Sequence, residues 1–413
     1  MATVWWTGWL ANNFHTSADM SKTPLTITMK LPEGFESTPP TLALGGELKS
    51  SICLIGDASM RLSEPMGDLE QELVYRHFCH SVEGLSMLAD CKPKQLVIDK
   101  HPDYLSSQYG QRLAVKLGLP LVQVQHHHAH MAAVMADNGL PLDSKPVLGL
   151  ALDGLGFGED GTIWGGEILI ADYQGFQRLG HFQPVAMIGG VAAIHEPWRN
   201  TLAYLLPIWD EVNQQFSNTD IIHFLNNKPI AVLQRMVDSG VNSPLSSSCG
   251  RLFDAVAAAL GFHREAVAFE AQAAIALEQA ASSCFEQETN HYEYTVNEIN
   301  ACLQLGWQPM WLALLTDIQN GIESKRIAAR FHRTLIHALS RVAVCLCNQY
   351  GVNSVALSGG VFQNRLISTH LPLALQQAGL TVLQHQHIPA NDGGICLGQA
   401  IIAAAQFIKR KSP

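Results

Sequence analysis

The sequence predicts an α/β protein of two lobes with a ligand cleft between them. Three observations carry this. At 413 residues the chain is longer than one simple core organises. Apolar runs of strand length alternate with amphipathic helical stretches, the pattern of an α/β fold. A strand–glycine turn–strand unit also occurs twice, first at Leu42-Ala43-Leu44-Gly45 with Ile52-Cys53-Leu54-Ile55. It returns at Leu150-Ala151-Leu152-Asp153 with Glu167-Ile168-Leu169-Ile170. Such duplication suits nucleotide binding where two lobes meet. The expected division is an irregular arm over 1–38, an N-terminal lobe over 39–145 and a C-terminal lobe over 146–413. The second lobe is expected to carry a helical insertion at 200–330.

Taken in order, the arm is rich in Thr and Pro and closes on Ser37-Thr38-Pro39-Pro40. It carries Trp5, Trp6 and Trp9 but no positive n-region or small-residue cleavage site, so it does not read as a signal peptide. After the first hairpin, Gln95–Asp99 reads as a strand that breaks at His101-Pro102. Residues 106–118 read as a helix stopped by Gly118, and 121–125 as a strand. Met131–Ala136 reads as a helix ending at Asn138-Gly139. Past the second hairpin, Arg251–Leu260 and Glu270–Ala281 are alanine-rich amphipathic stretches. A polar insert over 285–325 leads to a long helix, Ile327–Gln349. The strand Ser354–Leu357, a glycine turn, a helix and a last strand around Val382 follow. Asn391-Asp392-Gly393-Gly394 then opens a closing helix through Ile401 to Phe407.

Composition narrows the function. The formal charge of −10 opposes a broad nucleic-acid footprint. No apolar run approaches a membrane span, so the expectation is a soluble, cytoplasmic protein. The nine cysteines are scattered and odd in number, without a Cys-x-x-Cys pair, which opposes zinc knuckles and a disulfide framework. Cys345 and Cys347 read as two faces of one core helix. There is no phosphate-binding loop of the Gly-x-x-x-x-Gly-Lys type and no Gly-x-Ser-x-Gly elbow.

The chemistry concentrates in a few stretches. His126-His127-His128-Ala129-His130 lies where a strand gives way to a helix, the edge at which ligands gather in open α/β folds. Positions four apart share a helix face, so His126 and His130 can aim two imidazoles at one divalent metal. The alternative is a solvated histidine cluster. Asp153 ends a buried strand ahead of the glycine-spaced turn Gly154, Gly156, Gly158, whose N–H groups could form an anion nest. A buried carboxylate there needs a partner, a metal or a phosphate-bound cation. Asp392, in the third glycine turn and read as an acid at a strand end, is a second carboxylate candidate, completing an N2O2 set suited to a first-row cation. Gly359 and Gly360 stand at a strand–helix junction suited to a nucleotide's phosphate or adenosine end. Arg251 and Asp254 share one helix face, as site residues or as an exposed ion pair. Glu270 stands at a helix start, where capping is as good a reading. The islands Lys100–Tyr104 and His195–Arg199 could bind an acyl-phosphate group or brace loops.

These segments resemble the C-terminal half of the hydrogenase-maturation carbamoyltransferase HypF family. The matching stretches are Leu42–Leu48 (LALGGEL), His101–Ser107 (HPDYLSS), Val124–His130 (VQHHHAH), Asp153–Glu167 (DGLGFGEDGTIWGGE), Glu196–Arg199 (EPWR), Gly250–Ala255 (GRLFDA), Leu357–Asn364 (LSGGVFQN) and Pro389–Gln399 (PANDGGICLGQ). The resemblance implies an actin/hexokinase/Hsp70-like fold, with metal ligands of catalytic importance at His126, His130, Asp153 and Asp392. It implies nucleotide contacts at Gly154, Gly156, Gly158, Arg251, Asp254, Glu270, Gly359, Gly360 and Asn364. The implied reaction moves a carbamoyl group from carbamoyl-adenylate, formed from ATP, to the C-terminal cysteine thiol of HypE. That route leads to the cyanide ligands of the nickel–iron centre. The implied cofactor is a divalent metal: iron, zinc or magnesium. No general base stands out. The acylphosphatase-like, zinc-finger and adenylate-forming parts of the family are not readable here, so adenylate formation is expected in trans or lost. The family has glycine where this chain has Ala271, and the added methyl stands against close ligand approach. A non-catalytic docking module and a tRNA threonylcarbamoyl transferase are the alternatives; the acidic balance and the HHHAH and GRLFDA runs weigh against the latter.

Overall fold

The computed structural model describes residues 25–86 and 92–411; Trp5, Trp6, Trp9 and Cys91 lie outside them. Two mixed sheets organise the chain. The first contains β1 (Leu25–Lys30), β2 (Thr41–Ala43), β3 (Cys53–Gly56), β4 (Ser59–Ser63), β5 (Gln95–Asp99) and β6 (Leu121–Val124). The second contains β7 (Val147–Phe157), β8 (Ile163–Ala171), β9 (Phe176–Phe182), the short β10 (Val185–Ala186) and β11 (Leu245–Ser246), β12 (Thr295–Ile299), β13 (Cys302–Gly306), β14 (Ser354–Ser358) and β15 (Thr381–Leu383).

Their shared strand order explains the sequence echo. Five strands of the first sheet run β4-β3-β2-β5-β6, with β1 added beside β4, and five of the second run β9-β8-β7-β14-β15, with β13 and β12 added beside β9. In each set of five, the earliest strand is central, two antiparallel strands follow on one side, and two parallel strands lie on the other. A helix precedes each parallel strand and a third closes each unit. These are Glu72–Ser86, Leu105–Leu117 and His126–Asp137 in the first, and Ser324–Tyr350, Arg365–Gln377 and Ile395–Lys411 in the second. The closing helices cross over. His126–Asp137 packs on β7, β8 and β14, whereas Ile395–Lys411 packs on β2, β3 and β5, and the two lie against each other.

That crossing forms a central core of Met131, Ala132, Val134, Ile401, Ala404 and their neighbours. Burying one such Val, Ile or Met side chain contributes about 1.5–3 kcal/mol. Gly398 makes the crossing possible, because a Cβ there would collide with the Ala129 carbonyl. Gln399 locks it: its side chain accepts from Gly45 N at 2.9 Å and donates to Gly45 O at 3.1 Å. A second core lies between the β7–β9 face and the helices of residues 198–346, and a third on the far side of the first sheet.

Four expectations need correction. The arm is not irregular through residue 38: Leu25-Thr26-Ile27-Thr28-Met29-Lys30 alternates in burial and pairs antiparallel with β4. The insert over 285–325 is not merely polar. It holds the β12–β13 hairpin, which extends the second sheet, and the helix Gln308–Gln319, anchored by buried Trp311. Gly154–Gly158 is not a turn: β7 continues to Phe157, with a bulge between Leu152 and Gly156. Asp153 therefore sits at a bulge, a device that re-aims side chains. Finally, Asp392 follows a loop after β15 and begins the turn leading into Ile395–Lys411, so it is at a helix start and not a strand end. Cys345 and Cys347 do occupy opposite environments of one helix, exposed and buried.

Candidate metal centre and nucleotide cleft

The helix His126–Asp137 begins one residue after β6, and Gln125 caps it by accepting from His128 N at 2.8 Å. Every residue of this helix is buried. Helical spacing separates its histidines into two pairs. His126 and His130 turn their Nε2 atoms to the place where both sheets meet. His128 instead engages Asp172 O at 2.7 Å, and His127 packs against Gly156 and Trp164.

The convergence is tight. His126, His130, Asp153 and Asp392 each offer one donor atom, all within 4.8 Å of one another. His126 Nε2 lies 3.5 Å from Asp153 Oδ2 and 3.7 Å from Asp392 Oδ1. His130 Nε2 lies 3.0 Å and 3.6 Å from the same two atoms. Nε2 of His126 is buried with no hydrogen-bond partner. Outer contacts hold the rings by their other nitrogens: Asp99 Oδ2 is 3.0 Å from His126 Nδ1, and Ser358 Oγ is 3.0 Å from His130 Nδ1. Metal-binding histidines characteristically engage such a partner, which leaves the inward nitrogen as ligand. Two imidazoles and two carboxylates suit a first-row divalent cation better than magnesium, which prefers oxygen alone. The residues fit a metal.

Electrostatics agrees. Burial opposes ionisation of Asp153, yet contacts with His126 and His130 outweigh it and hold its carboxyl well below the usual range. Burial likewise opposes a charge on His126 and His130, but the surrounding carboxylates raise both. Burial, then the charges of His126 and His130, push His127 well down. The two inward histidines thus share a negative site, while burial lowers the pKa of both His127 and His128.

The other expected residues divide into cleft and scaffold. Gly360 N donates to Asp153 Oδ1 at 3.2 Å, tying the β14 turn to the centre. Gly359 has φ +112, and a Cβ there would fall on the Leu152 carbonyl. Gly154 is the open one, with nothing within 4 Å of an added Cβ. Gly156 and Gly158 serve packing, since a Cβ would strike His127 or Trp164 respectively. None of the three has a left-handed φ, and the N–H groups of Gly154 and Gly158 are taken by Asp153 Oδ1 and Thr162 O, so the three glycines make no anion nest. Asn364 also serves the scaffold. Its oxygen caps the helix Arg365–Gln377, at 3.0 Å from Leu366 N and 3.1 Å from Ile367 N, and its amide donates to His332 Nε2 at 3.0 Å.

Arg251 and Asp254 are not an exposed pair. Both are buried, 2.8 Å apart, and Arg251 Nε and Nη1 have no hydrogen-bond partner. Burial raises the Asp254 pKa against the pull of Arg251. Their helix starts beside the centre: a Cβ on Gly250 would lie 2.9 Å from Gly154 Cα. Glu270 is exposed and makes no cap; it pairs with Lys49 at 2.5 Å, joining the β2–β3 loop to the start of Gln272–Ser282. Ala271 occupies the left-handed region at φ +60, which explains why glycine suits this position. Both polar islands brace loops. Lys100 pairs with Glu159 while His101 stacks on Tyr104, and Glu196 accepts from Trp198 and Arg199.

Sequence reasoning missed Asp99, Lys49 and the part played by Ser358. The only signal for Asp99 was an acid ending an apolar strand one element before the histidines.

Two sheets of one strand order, crossing closing helices and a His2Asp2 cluster between them define a two-lobed actin/hexokinase/Hsp70-like protein. Comparison with known proteins makes the assignment specific. Residues 36–137 match the family described as the HypF Kae1-like domain, and residues 149–399 the second subdomain of the carbamoyltransferase Kae1-like domain. The chain belongs to the HypF carbamoyltransferase family and corresponds to its C-terminal, Kae1-like part. It is 38% identical to carbamoyltransferase HypF of Rhodobacter capsulatus over 92% of this chain and 49% of that protein. Identity is also 38% to a carbamoyltransferase HypF homolog of Cupriavidus necator, over 91% of this chain and 94% of that protein. Full-length HypF in its phosphate- and nucleotide-bound form superimposes with a TM-score of 0.82 at 32% identity, over 91% of this chain and 47% of the other. The chain thus spans about half the length of most of these relatives, and nearly all of the Cupriavidus homolog.

Proposed function

We propose that this chain is a carbamoyl-transferring module of hydrogenase maturation. It would hold carbamoyl-adenylate in the cleft and release the carbamoyl group to the C-terminal cysteine thiol of a HypE-like acceptor. The observation carrying this reading is the buried His126–His130–Asp153–Asp392 set where the two sheets meet. Family membership and the nucleotide-bound state of the full-length relative support it.

In the proposed reaction the acceptor thiolate attacks the carbamoyl carbon. The bond between that carbon and the phosphate oxygen breaks, and AMP leaves with the electron pair. A thiolate arriving already ionised needs no base from this chain. A divalent metal, when bound, would act as a Lewis acid and template at the acyl or phosphate oxygen. His126, His130, Asp153 and Asp392 would hold it, with Asp99 and Ser358 fixing the imidazoles. Gly360 N–H steadies Asp153. Arg251, with two unpartnered guanidinium nitrogens, would take the nucleotide's phosphate or hydroxyls. The Lys49–Glu270 pair, which joins the β2–β3 loop to the start of Gln272–Ser282, would orient the adenylate.

The test mixes this chain with a separate adenylate-forming domain, carbamoyl phosphate, ATP and the acceptor, and follows carbamoyl label on the acceptor thiol. Transfer in the mixture, absent when either protein is omitted and lost with Asp153→Asn, is the expected result. No transfer, with metal and nucleotide bound, would overturn the reading and leave a docking module.

A further inference from the structure

Ser358, which touches His130, is itself the middle of a buried chain. Its Oγ lies 2.9 Å from His385 Nε2 and 3.2 Å from Ala390 O. The His385 side chain is 5% exposed, and its Nδ1 faces Asp137 Oδ2 at 3.4 Å, within ion-pair range but without a formed hydrogen bond. Asp137 is the last residue of the very helix that begins with His126. Its side chain is fully buried, and it accepts from Gln386 N at 2.7 Å and from His387 N and Nδ1 at 3.2 and 2.8 Å.

A carboxylate at a helix C-terminus opposes the helix dipole, and burying it adds desolvation, so its place calls for an explanation. Proton direction supplies one. Facing a carboxylate, His385 Nδ1 must carry the hydrogen, because a lone pair there would be repelled. His385 Nε2 is then an acceptor, and the Ser358 hydroxyl is the donor within reach. With that hydrogen committed, Ser358 Oγ can only accept from His130, so His130 carries its hydrogen on Nδ1. With a cation held between His130 Nε2 and the carboxylates of Asp153 and Asp392, that nitrogen offers its lone pair; without one it carries a hydrogen toward Asp153 Oδ2, 3.0 Å away. Ala390 O, at 3.2 Å, is a second and more distant acceptor for the Ser358 hydrogen; with either acceptor engaged, Ser358 Oγ is left to accept from His130. His126 reaches the same result in one step through Asp99. Burial lowers the His385 pKa, consistent with the neutral imidazole this arrangement needs.

We propose that Asp137, His385 and Ser358 are positioning residues that fix the tautomer and orientation of His130 and so set the affinity of the four-donor centre for its divalent metal. This rests on the metal-centre reading above. The geometry is that of a Ser–His–Asp triad, but Ser358 is fully buried and its hydroxyl serves a ligand histidine, not an incoming substrate. Asp137 has a second reach: by clamping Gln386 and His387 it anchors the segment that leads, five residues on, to Asp392.

The test measures cobalt(II) affinity by competition with a chromophoric chelator, together with the visible spectrum of bound cobalt. Wild type, Ser358→Ala, His385→Leu, His385→Gln and His126→Ala/His130→Ala are compared, with thermal melts to establish folding. Ser358→Ala and His385→Leu should bind roughly 10–100-fold more weakly, the usual effect of losing an outer partner. Both should also alter the cobalt spectrum. His385→Gln, whose amide can accept from Ser358 and donate to Asp137, should recover most of the affinity. Ser358→Ala removes one oxygen atom and decides the matter if His385→Leu fails to fold. Affinity within threefold of wild type and an unchanged spectrum in Ser358→Ala would overturn the positioning chain while leaving the centre intact. A wild-type protein no better than the double ligand variant would overturn both.

Discussion

Replacing Gly359 with alanine separates a glycine required by the backbone from one, Gly154, that faces the proposed adenylate site. At φ +112 an alanine is strained by about 1–3 kcal/mol. Its Cβ would also fall on the Leu152 carbonyl, with the carbonyl carbon at 2.6 Å. Leu152 cannot retreat freely, because β7 is paired on both sides, with Ser358 opposite Ala151 and Gly166 opposite Leu152. Overpacking of this kind adds about 1–3 kcal/mol. Gly359→Ala should therefore destabilise by roughly 4 kcal/mol in urea unfolding, and shift Ser358 and Gly360 with it. Gly154→Ala is the counterpart. Its φ is unstrained and its Cβ meets nothing within 4 Å, so stability should stay within about 0.5 kcal/mol. Its methyl would protrude into the proposed adenylate site, and AMP binding measured by calorimetry should weaken. A loss below about 1 kcal/mol in Gly359→Ala would refute the strain argument. Unchanged AMP affinity in Gly154→Ala would refute the placement of the nucleotide.

Two further predictions concern stability. Ala271→Gly should stabilise by about 1 kcal/mol, since the left-handed conformation costs alanine more than glycine loses in chain entropy. Equal or lower stability by urea unfolding would contradict it. His332 gives a pH dependence. Burial lowers its pKa from 6.5 to about 4, so between these values the unfolded chain binds the extra proton. Its contribution, about 3 kcal/mol, is full above pH 6.5 and is lost as pH falls toward 4. His332→Gln should flatten that part of the stability curve, and an unaltered slope would contradict the assignment.

Much of the fold was legible because its signals are local. Gly118 halts Leu105–Leu117 in the left-handed conformation, and the HHHAH run follows β6 at once. The repeated hairpin foreshadowed two sheets of one strand order. The four donors were legible as residue types, but two details were not. Glycine spacing reads as a turn, whereas a bulge keeps Gly154–Phe157 in β7 and places Asp153 within the strand. The residues alone left Arg251 and Asp254 open between site residues and an exposed pair, because nothing in one helix reveals that its start is covered by Gly154 of another element. Asp99 and Lys49 escaped for the same reason. Asp99 matters through His126, 27 positions away, and Lys49 through Glu270, 221 positions away. Partners that distant leave no periodic signature.

The X-ray absorption spectrum of the protein loaded with one equivalent of zinc tests the central claim most directly. The account predicts one bound ion with two imidazole nitrogens at about 2.0–2.1 Å and carboxylate oxygens at about 2.0–2.2 Å. That signal should vanish in His126→Ala/His130→Ala. Sulfur in the first shell, three or more imidazoles, or an unchanged spectrum in the double variant would contradict it.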